Sequence, residues 1–342
     1  MSEHGATRAT TAQDVADLAG VSISAVSRAF TPGASVSKQT RSRVMEAAEK
    51  LGYTPNLVAR SLATQRSGIV GLVMGDIRNP YYPEVIDALS RRLASSGFRT
   101  MLTTVWGDVT VDDVGPSLVQ SKVDGVIIAS IAEADRLGDT LFKAGAAVVL
   151  FNRSTLASES LSSVRCENVE GGRSVANFLL DRGLTRLAYI AGVEHIYTTQ
   201  EREAGFVGRI TERGHQLHAR ETGDYTYQGG FDAAQRLASL DVPPDSVFCA
   251  NDITAIGAID GFRALGLRVP DDISVVGFDD IELASWPPYR LTTVRQDKTA
   301  LIENTVGMLV QQIRSGERTR QIKLVPVAIV ERNSVVSNRV AG

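Results

Sequence analysis

The chain of 342 residues has only two cysteines, Cys166 and Cys249, and neither has a partner at metal-ligand spacing. A disulfide framework and a structural zinc site are therefore not expected, and two lone thiols fit a reducing compartment. No run of 18 or more apolar residues is present, so no membrane-spanning helix is predicted. The first residues, MSEHGATRATTAQD, hold no apolar stretch between a basic start and a cleavage site, so export is not expected either. The glycine loops of nucleotide enzymes are missing: neither G-x-G-x-x-G nor G-x-x-x-x-G-K-[ST] follows an apolar run, and no G-x-S-x-G elbow occurs. Of four histidines only His215 and His218, in RGHQLH, are close together. Their i,i+3 spacing could hold a metal, but an isolated pair in a polar loop is usually solvated. The expectation is a protein without metal, cofactor or catalytic residues, and so not an enzyme.

What is present is length, apolar content and an uneven charge. At 43% hydrophobic residues the chain can bury a large core, and its length fits two or three domains. The net charge is −3, yet residues 1–66 carry eight Lys/Arg against five Asp/Glu, whereas the other 276 carry 28 against 34. A cationic module precedes an acidic body, and a polyanion would meet the module alone.

In TAQDVADLAGVSISAVSRAF, Val15, Leu18 and Ala19 share one helical face, and Val26 and Phe30 share another after a break at Gly20. Gly20 suits a positive φ at a helix end, Val21 can pack in the corner, and Ser22 can cap a second helix. This is the layout of a helix-turn-helix. A third helix follows from Ser37, with Thr40 and Arg41 in its first turn and Val44, Ala47, Ala48 and Leu51 as its stripe. In such a unit the start of the second helix reads base edges, which nominates Ile23, Ser24 and Ser27 with Arg28 beside them. Hydroxyls and cations at helix starts hold phosphates, which nominates Ser22, Ser37, Thr40 and Arg41.

The stretch Tyr53–Gly68, YTPNLVARSLATQRSG, is apolar for a linker. Tyr53 to Pro55 close the module, and Asn56 is a good cap for two helical turns ending at Ala63. Eight residues are too few for a helix to hold in water alone, so this one needs a partner. From Gly68 onward short β-type runs alternate with helical periods (GIVGLVM, VDGVIIAS, AAVVLFN, RLAYIAG, SVFCAND, ISVVGFDD), as in parallel sheets covered by helices. Several runs end in polar residues, Asp76, Asn152, Asn251 with Asp252, and Asp279 with Asp280, at the strand ends where open α/β sheets bind ligands. Asp252 can also cap the helix that follows, and Asp280 reads as structural.

The segments DVADLAGVSISAVSRAF, VSKQTRSRVMEAAEKLGY, TPNLVARSLA, GDIRNPYY, VDGVII, VRCENVEGG, EREAGF, FCANDITAIGAIDGFRALGLRVPDDISVVGFDDIELA and LTTVRQD resemble the lac repressor family of bacterial transcription regulators, over nearly the whole chain. Ala25 and Thr31 depart from the usual threonine and asparagine, and the Ala25 change would remove one possible DNA contact. Asn152 and Glu167 stand where aspartates are common, and a neutral Asn152 does not favour a cationic effector.

The resemblance implies a helix-turn-helix headpiece (residues 1–55), a hinge helix and linker (56–67) and a periplasmic-binding-protein-like α/β body (68–342). Its two doubly wound parallel-sheet subdomains would be roughly 68–165 plus 296–325 and 166–295 plus 326–342. The implied effector residues are Tyr81, Tyr82, Asn152, Arg153, Arg202, Tyr225, Asn251, Asp279 and Trp286, a set that fits a sugar. Structural alternatives are core roles for Tyr81 and Tyr82 and an Arg153–Glu167 ion pair. The hinge helix would pair with that of a second subunit in the DNA minor groove, with Leu62 as wedge and Ala59 allowing close approach. The implied protein is a cytoplasmic, nucleoid-associated homodimeric regulator of a pseudo-palindromic operator, controlled by a small sugar-like effector. Only VSNRVAG follows the last β-type run, so a leucine-rich tetramerising tail is not expected. A free solute-binding protein without DNA binding is the rival reading.

Overall fold

The computed structural model describes residues 10–30, 34–54, 66–75, 77–105, 107–131, 133–153 and 158–337. The hinge candidates Asn56, Ala59 and Leu62, and the strand-end Asp76, lie outside them. The chain divides into two units, Met1–Ser67 and Gly68–Gly342.

In the first unit α1 (Ala12–Ala19) begins at Thr11, which forms a reciprocal capping box with Asp14. It ends at Gly20, whose φ of 64° is the left-handed conformation a helix terminus asks for. Helix α2 (Ile23–Ala29) is capped by Ser22 and α3 (Lys38–Lys50) by Ser37, each hydroxyl accepting a backbone N–H three residues on. Val15, Ala16, Ala19, Val26, Ala29, Val44, Ala47 and Ala48 form the core, with Val21, Phe30, Leu51 and Tyr53 packed around it. Leu18 does not join them. It is 53% exposed, and the smaller Ala16 takes the buried position.

The second unit holds two six-stranded sheets. The first sheet comprises β1 (Ile69–Met74), β2 (Arg99–Thr104), β3 (Gly125–Ala129), β4 (Ala147–Phe151), β5 (Ser162–Cys166) and β11 (Ile322–Val325), in the order β11-β5-β4-β3-β1-β2 and parallel throughout. The second comprises β6 (Leu187–Ala191), β7 (Ala219–Thr222), β8 (Ser246–Cys249), β9 (Ser274–Asp279), β10 (Thr292–Gln296) and β12 (Val327–Val330), in the order β12-β10-β9-β8-β6-β7. Only the β10–β12 pairing is antiparallel in that sheet. The inner strands of both, such as β3, β4, β6 and β9, are buried along their whole length, as sheets covered on both faces require.

The helices that bear on the site are α4 (Tyr81–Ser95), α5 (Val111–Gln120), α6 (Ala134–Lys143), α7 (Asn168–Leu180), α8 (Tyr197–Glu212), α9 (Tyr227–Ala238), α10 (Asp252–Ala264) and α11 (Lys298–Ser315). The chain passes between the sheets three times, after Cys166, after Gln296 and after Val325. Near the first passage Arg165 of β5 pairs with Glu201 of α8, an ion pair joining the two halves.

Candidate functional site

On α2 the nominated residues Ile23, Ser24, Ser27 and Arg28 are all exposed, while Ala25, Val26 and Ala29 face the core. Positions i, i+1, i+4 and i+5 of a helix form one face, so these four present a single strip to solvent. Ile23 is 49% exposed on this strip. Ala25, where the family usually has threonine, is buried beside this strip rather than part of it. Ser22 and Ser37 are spent as caps, and Ser37 also donates to the Thr40 hydroxyl. Arg41 donates Nη1 to the Ala29 carbonyl at 2.7 Å, tying α3 to the end of α2. Tyr53 packs against Phe30, with ring centroids 5.9 Å apart.

In the second unit a cavity of about 410 Å³ lies where the C-terminal ends of strands from both sheets meet. That size suits a small molecule rather than a peptide. Its walls include Tyr81 and Tyr82 from α4, Asn152 and Arg153 after β4, Arg202 from α8, Tyr225 after β7, Asn251 after β8 and Asp279 at the end of β9. Eight of the nine nominated residues are thus brought together. Trp286 is not: its backbone closes a tight turn, accepting from Tyr289 and Arg290, and its ring is left 46% exposed at the surface. Backbone strain gathers around the cavity. Among the described residues eight non-glycine positions have positive φ, and five of them, Ser130, Asn152, Asp224, Tyr225 and Asp279, line it. Each costs on the order of 1–3 kcal/mol, a cost proteins keep mainly where function requires it.

The polar groups divide into those already engaged and those left open. Arg202 is buried, lies 3.6 Å over the Phe278 ring, and donates Nε to Asn168 and Nη1 to the Ala250 carbonyl. Its Nη1 is 3.4 Å from Asp279 Oδ1, so the two charges offset each other, and the pair holds the guanidinium charged. Burial nevertheless raises the Asp279 carboxyl to about 6, against the opposing pull of Arg202 and Gln296. Asn152 is held in place at the wall. Its Nδ2 donates to Gln296 Oε1 at 2.7 Å and its Oδ1 accepts from the Cys166 N–H at 3.3 Å. Tyr81 donates to the same Gln296 oxygen at 3.1 Å and is also a core residue, which joins its two alternative readings. Tyr225 accepts from the Thr199 hydroxyl at 2.8 Å, and its ring fills the space over Gly192, where any Cβ would lie 2.3 Å from it. Asn251, not Asp252, caps α10: Oδ1 accepts from the Thr254 N–H, while the buried Nδ2 has no partner among the described residues. Asp252 instead binds the Ile281 N–H and the Thr293 hydroxyl, tying α10 to the ends of β9 and β10. Asp280 is structural, held by Arg295 and Arg332. The Arg153–Glu167 ion pair does not form among the described residues, and Arg153 stays buried in the wall.

Gln296 was not nominated, although it stands in the LTTVRQD segment. It sits beneath the cavity, receives Tyr81 and Asn152 from the first half, and donates Nε2 to Asp279 of the second at 2.6 Å. A glutamine at the end of a strand gives no sign in sequence that three distant residues converge on it. Burial pushes the Cys166 thiol up to about 12, so it stays protonated.

Residues 11–56 match the family model of bacterial regulatory proteins of the lacI family, and residues 147–335 match that of a periplasmic binding protein-like domain. The chain is 33% identical over 328 residues to the HTH-type transcriptional regulator CelR of Thermobifida fusca, covering 93% of this chain and 96% of that protein. It is 30% identical over 333 residues to the HTH-type transcriptional repressor PurR of Vibrio vulnificus strain CMCP6, covering 95% and 98%. Among solved structures, the lac repressor dimer bound to operator and the anti-inducer ONPF matches with a TM-score of 0.86 at 28% identity, covering 96% of this chain and all of that one. The CelR–cellobiose complex matches with a TM-score of 0.73 at 29% identity, covering 95% and 99%. With a helix-turn-helix unit whose second helix presents a polar strip, and an α/β unit with a cavity between its sheets, this chain belongs to the lacI family of bacterial transcription regulators.

Proposed function

We propose that the protein is a homodimeric repressor whose hold on a pseudo-palindromic operator is set by a small sugar-like effector in the cavity of its α/β unit. The observation that carries the effector reading is the cavity itself, small-molecule-sized and walled by eight of the nine nominated effector residues, among them Arg153, Asn251 and the Arg202–Asp279 pair. A wall of donors and acceptors of this kind is matched by a ligand rich in hydroxyls. Relatives solved with cellobiose and with operator DNA support both halves of the proposal. Base reading falls to Ile23, Ser24 and Ser27, with Arg28 beside them, and phosphate contacts fall to the helix starts at Ser22, Ser37 and Thr40. The hinge residues Asn56, Ala59 and Leu62 carry the minor-groove contact, and Arg41 and Tyr53 support the surface from within the unit. The protein catalyses no reaction and acts in the cytoplasm, where the chromosome is.

Binding that favours one angle between the two sheets favours one arrangement of the segments leading to the headpieces, so effector and operator affinities change each other by the same factor. Selection of DNA from a random pool by the full-length protein tests this. A pseudo-palindromic site is expected, bound with a steep salt dependence and lost when residues 1–67 are removed. Leu62→Ala should weaken that site far more than random DNA. Binding without sequence preference, or unaffected by the deletion, would sink the regulator reading.

A further inference from the structure

The cavity holds one charged group that the sugar reading leaves unused. Arg153, directly after β4, is 7% exposed and lines the cavity, and among the described residues nothing lies within hydrogen-bond or ion-pair reach of its guanidinium. Arg202 is different, because Asp279, Asn168 and the Ala250 carbonyl already surround it. The remaining charges on the wall, Arg78 and Asp224, are of opposite sign and exposed. Tyr81 and Tyr82 offer no anion, since burial raises both phenols. The carboxylate that bears on Arg153 from outside the wall is Asp135 of α6; it acts only through space, and its own Oδ1 is buried without a partner. Burial therefore penalises the Arg153 charge without a contact to offset it.

We infer that the effector is a polyhydroxylated molecule bearing a carboxylate or phosphate, with Arg153 holding the anionic group while Asn251, Arg202 and Asp279 read the hydroxyls. This rests on the cavity being the effector site. A guanidinium presents a planar fork that matches two oxygens of either anion, and such charge-assisted pairs are about twice as strong as neutral hydrogen bonds. A neutral sugar would leave the cation buried without its counter-charge, and a cationic ligand would add repulsion to that cost. The Asp279 carboxylate, also on the wall, would repel the anionic group and instead accepts from a hydroxyl, so anion and hydroxyls are read at different places.

The test uses the full-length protein, thermal shift and calorimetry, and probes sharing one skeleton: glucose, glucuronate, gluconate and glucose 6-phosphate, the same set built on galactose, and inorganic phosphate and acetate alone. At least one acid or phosphate should bind roughly 10- to 100-fold more tightly than its neutral parent, the span of one charged hydrogen-bonding group. Whether acids or phosphates lead identifies the source of the anion. Arg153→Gln should bring the anionic probe down to the affinity of the neutral parent, and Arg153→Lys should restore part of the difference. Without ligand, Arg153→Gln should melt about 2 °C or more above the unmodified protein, since it removes an uncompensated buried charge. A lower melting point, or a variant that does not fold, would mark Arg153 as a structural partner of Asp135 and overturn the inference. So would a neutral parent that binds as tightly as its acids and phosphates, or an Arg153→Gln variant that keeps full affinity for the anion; both leave the effector cavity itself standing. No response to any probe would overturn the inference and the sugar-effector reading together.

Discussion

Asn251, on the cavity wall, uses its amide oxygen to cap α10 and leaves the nitrogen without a partner among the described residues. Serine caps a helix nearly as well but is too short to reach where the amide nitrogen lies. Asn251→Ser should therefore keep the melting temperature close to that of the unmodified protein while weakening effector binding about 3- to 10-fold, the value of one neutral hydrogen bond. Calorimetry beside thermal denaturation separates the two, and a large loss of stability with unchanged affinity would contradict the assignment. Asp279 supplies a pH signature. A ligand hydroxyl donating to its carboxylate favours the ionised form, so binding weakens as protons occupy the group. With the free carboxyl at about 6, affinity should hold above pH 7 and fall about 10-fold by pH 5. A flat profile over that interval, for a ligand that does not itself titrate there, would remove Asp279 from the contact.

At the scale of elements, the headpiece combines a small core of alanines and valines with side-chain caps at each helix start. Gly20 combines the left-handed turn with a close approach: a Cβ there would lie 2.7 Å from Arg43 Nη2, which bonds to the Ala19 and Gly20 carbonyls. Gly20→Ala should destabilise the headpiece by about 1–2 kcal/mol. In the full-length protein, headpiece amides would then exchange with solvent roughly 5- to 30-fold faster while those of the α/β unit keep their protection. The caps at Ser22, Ser37 and Gly20 were legible because each has a local preference that neighbours do not overrule. Which apolar residues would be buried was less so. Leu18 and Ala16 are two positions apart on one helix, and their roles were decided by where α3 packs.

Across the whole molecule, the chain passes three times between the two sheets of the α/β unit. Gln296 lies at the second of these passages and links Tyr81 and Asn152 on one side to Asp279 on the other. Any ligand that pulls on Asp279 acts on the relation of the two sheets through this amide. Gln296→Met removes the links at nearly constant volume. The ratio of operator affinities measured with and without effector should fall at least about 5-fold, the lower end of common coupling energies, while sequence-specific DNA binding persists. An unchanged ratio would show that coupling runs elsewhere.

The sequence alone determined the helix-turn-helix, the alternation of strands and helices, and the polar strand ends Asn152, Asn251 and Asp279 at the cavity, because caps, periodicity and polar strand ends are local signals; the other cavity residues followed from the family resemblance. It could not tell which polar groups would be engaged by the protein and which left open, since that depends on partners on other elements, from 17 positions away for Asp279 and Gln296 to 215 for Tyr81 and Gln296. Asn152 gives an amide N–H to Gln296 and Trp286 stays off the wall, whereas Arg153 keeps its guanidinium without a partner among the described residues. Folding decided those outcomes, because a hydrogen bond or an ion pair exists only where the chain brings donor and acceptor within about 3 Å of each other.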